Sequence, residues 1–69
     1  MVEVFKTNVS EHYQAEKIFD LLIVSFPDCK INFDLEDVDK ILRIEGTKII
    51  SKEIIELINA KGYFCEVLN

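Results

Sequence analysis

The stretch FDLEDVDK places four carboxylates, Asp34, Glu36, Asp37 and Asp39, between two apolar runs, and the chain's single histidine, His12, stands beside Glu11 in TNVSEHYQ. Carboxylate oxygen and imidazole nitrogen are ligands for Zn or Ni, whereas Cu(I) selects thiolates. Glu11, His12, Glu36 and Asp37 are therefore the candidate metal ligands, provided the fold brings their two segments to one end. A calcium loop is a poorer match. Counted from Asp34, the sixth position is Asp39 where that loop needs Gly, and the twelfth, Glu45, falls inside an expected strand. Without a metal the same acidic stretch is a solvated hairpin turn, since a reversal between two strands calls for polar residues whatever the function.

Catalytic patterns are lacking. There is no nucleophile elbow, no G-x-G-x-x-G and no P-loop, and two glycines cannot build a phosphate cradle. The sequence reads as a non-enzyme. At 69 residues it is one domain, 1–69, and its 49% hydrophobic and 30% charged content is that of a chain that builds a core. A net charge of −5 repels phosphate backbones and anionic lipid, so neither nucleic acid nor membrane is an expected partner. No apolar run approaches a membrane span, and VEVFKTN is not a signal peptide, so the expected location is cytoplasmic.

The elements that would position these groups follow from hydrophobic period. Alternation over VEVFKT gives a first strand. Ala15, Ile18, Phe19, Leu22 and Phe26 then form one helical stripe, with Ser10 placed as cap and Pro27 as stop. Alternation returns at Cys29, Ile31, Phe33 and Leu35 for a second strand. In a third, Val38, Leu42 and Ile44 face the core and Ile41, Arg43 and Glu45 face away. A second helix begins at a Ser51 cap, with Ile50 and Ile55 as a hydrophobic staple, and ends at Gly62 in a left-handed stop. YFCEVL reads as the last strand. Strand, helix, strand, strand, helix, strand is the α+β ferredoxin-like βαββαβ sandwich: a four-stranded antiparallel sheet, first and third strands central, both helices on one face. Cys29 and Cys65 then lie on opposite edge strands, about 14 Å apart at about 4.8 Å per strand, too far for a disulfide or a shared ion.

Across nearly its whole length the chain resembles the heavy-metal-associated domains, the βαββαβ modules of copper chaperones and metal-transporting ATPases. The resemblance runs through the first strand and loop, SFPDCKINFDLED at the helix end and second strand, and INAKGYFCEVL at the second helix, Gly62 and last strand. In that family the first loop carries Gly-Met and a C-x-x-C thiolate pair. Here Asn8 and Val9 occupy the Gly-Met positions, and Glu11 and Gln14 the cysteine positions; an alignment anchored on Pro27 puts His12 and Ala15 there instead. Neither register supplies a thiol. The resemblance thus implies a heavy-metal-associated-like domain without the thiolate site, serving as a protein-interaction or self-association module. The alternative is metal binding or delivery by the changed ligand set near His12.

For an interaction module the expected surface is the sheet face opposite the helices, where the alternation places Phe5, Ile41, Phe64 and Leu68. A contiguous apolar patch of this kind marks a partner surface, for a protein partner or a homodimer. Because side chains alternate, a one-residue slip would turn them inward. RNA-recognition modules share the topology, but Ile41 and Arg43 stand where those carry aromatics.

Overall fold

The computed structural model describes residues 1–68 of the chain. The elements, in order, are β1 (Val2–Thr7), α1 (His12–Ser25), β2 (Lys30–Asp34), β3 (Ile41–Glu45), α2 (Ser51–Ala60) and β4 (Cys65–Val67). The strands form one antiparallel sheet in the order β2-β3-β1-β4, so the first and third strands are central, as the ferredoxin-like reading requires.

Register fixes which side chains share a face. Phe5 lies opposite Leu42 on β3 and opposite Val67 on β4, while Ile31 lies opposite Ile44 and Phe33 opposite Leu42. These residues, with Thr7 and Cys65, make the inner face. They pack with Ala15, Ile18 and Leu22 of α1, Ile54 and Ile58 of α2, and Val9 from the loop between β1 and α1. Phe5, Leu22, Leu42, Ile44, Ile54, Ile58 and Val9 are the largest wholly enclosed side chains.

Phe5 is 0% exposed, which removes it from the open face where the sequence reading put it. The cause lies in β1 itself. Val2 and Val4 occupy one parity and Phe5 the other, so this central strand is apolar on both faces and its period alone does not orient it. Pairing with Leu42 decides. Val38, expected in the core, is 89% exposed because β3 starts only at Ile41 and residues 35–40 form the turn.

Both helix starts differ by a residue from expectation. Glu11, not Ser10, is the N-cap of α1: the Gln14 side-chain oxygen accepts the N–H of Glu11 at 3.1 Å and that of Ser10 at 3.3 Å. A Gln three residues past the cap satisfies the orphan amides there, which the Ser10 reading overlooked. At α2 the N-cap is Ile50, with Ser51 already helical; Ile54 and Ile58 are buried in the core and Ile55 packs half-buried against it. The C-terminal stop agrees with the sequence reading. Gly62 has φ +92°, its N–H donates to the Asn59 carbonyl at 2.9 Å, and the Tyr63 N–H donates to that of Ile58 at 3.2 Å. These are the paired bonds of a Schellman motif.

Candidate functional site

The loop after β1, the acidic hairpin and the turn at Gly62 meet at one end of the sheet. Thr7 ties the first two together. Its N–H donates to the Asp39 carbonyl at 3.1 Å, and its hydroxyl donates to the Lys40 carbonyl at 2.6 Å while accepting the Val9 N–H at 3.2 Å. Asn8 reaches the third: its side-chain oxygen accepts the Phe64 N–H at 2.8 Å, aligning the start of β4.

One carboxylate of FDLEDVDK, that of Asp37, organises the reversal. Asp37 Oδ1 accepts the Asp39 N–H at 2.8 Å and the Asp37 carbonyl accepts the Lys40 N–H at 3.0 Å, an Asx-turn inside a β-turn. Lys40 takes the left-handed conformation, φ +49°, and its ammonium donates to the Leu35 carbonyl at 2.9 Å across the mouth of the turn. Lys6 and Asp39 form an ion pair at 3.7 Å, too exposed to contribute much.

Of the candidate ligands, Glu11 caps α1 and His12 is its first residue, while Glu36 and Asp37 sit in the hairpin turn, all with exposed side chains. Among the described residues, no three His, Cys, Asp or Glu side chains converge as ion ligands would. Cys29 and Cys65 are both unpaired thiols. Burial first, and then the adjacent Glu66 carboxylate, push the Cys65 thiol up to about 12, so at neutral pH it is a protonated core group rather than a nucleophile.

The face away from the helices carries Val2, Val4 and Lys6 of β1, Ile41, Arg43 and Glu45 of β3, Lys30, Asn32 and Asp34 of β2, and Glu66 of β4. Of the expected patch, Phe64 and Leu68 are open, at 45% and 36% exposure. Ile41 is on this face, between Lys6 and Asp34, yet only 4% exposed. Its central-strand position has neighbours on both sides, which a sequence pattern does not register. Val2, 55% exposed, belongs to this face because its parity on β1 is opposite to that of the buried Phe5. The Leu68 N–H donates to the Val4 carbonyl at 2.8 Å, so Val2, Val4 and Leu68 are neighbours, with Phe64 beyond Glu66. Arg43 donates to the Asn32 side-chain oxygen at 3.2 Å on the same face.

A second apolar strip is on α1. Gln14, Lys17, Ile18 and Leu21 line a half-open depression with Lys61 and Tyr63, which identifies the flank turned toward α2 and β4. Helical spacing puts Phe19, Ile23 and Phe26 on the opposite flank, and α1 packs over β2. Phe19 and Phe26 are half-buried and Ile23 is exposed. No described helix is long and apolar enough to cross a membrane. Compared with protein-family models, curated proteins and solved structures, the chain matches none.

Proposed function

We propose that the chain is a non-catalytic interaction domain that works by self-association, on a heavy-metal-associated-like framework without the thiolate pair. The observation that carries this reading is the open apolar surface: Val2 on β1, Phe64 and Leu68 flanking the two ends of β4 on the bare sheet face, and Ile23 on the flank of α1. Val2 and Ile23 are held on a strand and a helix, and the backbones of Phe64 and Leu68 are tied by their amides to Asn8 and Val4, so these side chains are presented at little ordering cost on binding. The matching element order and the stretches SFPDCKINFDLED and INAKGYFCEVL support the framework.

A native mass spectrum of the untagged protein, taken after exposure to Zn, Ni and Cu(I) and removal of excess ion, tests the reading. A metal-free dimer is expected. A monomer retaining one ion would overturn it in favour of a metal protein using His12 and the carboxylates of FDLEDVDK.

A further inference from the structure

The two edges of the sheet are unequal. β4 spans Cys65–Val67, and pairing it with a second copy about its centre would set Glu66 against Glu66. β2, KINFD, has β3 on one side and, among the described residues, no strand on the other. Which of its backbone groups are free follows from the ladder. Gly46 donates to the Met1 carbonyl, so Leu42, Ile44 and Gly46 turn their amides toward β1 while Ile41, Arg43 and Glu45 turn theirs toward β2. Their partners Asp34, Asn32 and Lys30 are thereby bonded inward. Ile31 and Phe33 are left with N–H and C=O groups directed out of the edge.

We infer that β2 pairs antiparallel with β2 of a second copy about a two-fold axis at Asn32, joining two four-stranded sheets into one continuous sheet. This rests on the self-association reading but places the joint at the sheet edge: of the open apolar residues behind that reading, Ile23 enters the joint, and Val2, Phe64 and Leu68 stay outside it. In that register all of KINFD is used, and each position meets a fitting partner. Lys30 lies opposite Asp34 of the second copy, and Asp34 opposite its Lys30. Ile31 meets Phe33 on the core side, Asn32 meets Asn32 at the axis, and the outward groups of Ile31 and Phe33 bond each other across the joint. A lysine on an edge strand ordinarily discourages strand addition. Here the charge order along the strand, positive at one end and negative at the other, is what antiparallel self-pairing requires. The axis also brings the two α1 flanks together over the joint, so that Phe19 and Ile23 lose water against their counterparts, and it leaves the patch of Val2, Phe64 and Leu68 uncovered on the opposite face.

The test is charge-swap complementation, read by sedimentation velocity over a dilution series, with circular dichroism verifying each fold. Lys30→Asp and Asp34→Lys each set like charges opposite one another twice per dimer, and each is expected to weaken association about tenfold. Mixed in equal amounts, the two variants present carboxylates on one copy to ammonium groups on the other, and association is expected to return as a heterodimer. Leu68→Lys, in the open patch behind the self-association reading, separates the two surfaces: edge pairing predicts the same dimer constant as wild type, pairing through the bare face a weaker one. If wild type dimerises and neither charge variant alters it while Leu68→Lys does, the edge pairing is wrong and self-association through the bare face stands. If wild type is monomeric throughout, the self-association reading itself falls.

Discussion

Thr7 shows how much one side chain can carry. It is the buried polar residue of the described core, and its hydroxyl serves both as donor to Lys40 and as acceptor for the Val9 amide. Thr7→Val keeps the shape and strands both partners, so a loss of about 1–3 kcal/mol is expected in urea unfolding, with the hairpin and the loop before α1 loosened together. Nothing in the sequence marks this residue, because a Thr in a strand is ordinary and its importance arises only where β1 meets the hairpin. Cys65 makes a pH prediction. Its thiol is held at about 12 in the fold, against an ordinary value of 9.0, so above pH 9 the unfolded chain binds fewer protons than the native one. This contribution is whole below pH 9 and is lost as pH rises through 12. Alkaline unfolding of Cys65→Ala should accordingly fall less steeply across that window than that of wild type, and an identical slope would mean the thiol does not titrate in this way.

At the scale of elements, the strand and helix order was legible because apolar period switches cleanly between two and 3.6, and because Pro27 and Gly62 punctuate it. What stayed illegible has a physical reason in each case. β1 is apolar on both faces, so Phe5 was turned the wrong way; Ile41 is enclosed by neighbours from β1 and β2, which only the register supplies; Gln14 moved the cap of α1 to Glu11. The join after β3 carries a further constraint. Gly46 is not left-handed, so its requirement is space: a methyl there would lie 2.8 Å from Cys29 Sγ. Gly46→Ala should cost about 1–3 kcal/mol in wild type and measurably less in a Cys29→Ala background. Equal costs in both backgrounds would show that the thiol is not the obstacle.

At the scale of the whole molecule, the sheet is covered by helices on one side only, and its two edges differ in what they offer a second copy. Within the acidic stretch, the Asp37 carboxylate and the Lys40 ammonium close the hairpin turn. Of the residues proposed for a surface, Phe64 and Leu68 are exposed as the alternation expects, whereas the places of Val2 and of the edge groups of β2 depend on pairings that no local pattern specifies.

Hydrogen exchange on the intact chain at low and high protein concentration tests the central claim most directly. The amides of Lys30, Asn32 and Asp34 are bonded to β3 and should be protected at both. Those of Ile31 and Phe33 should exchange freely when dilute and become protected as concentration rises, in step with dimer formation. Unchanged, rapid exchange at Ile31 and Phe33 in a sample that is demonstrably dimeric would contradict pairing through β2, and the same result in a sample that stays monomeric would contradict self-association altogether.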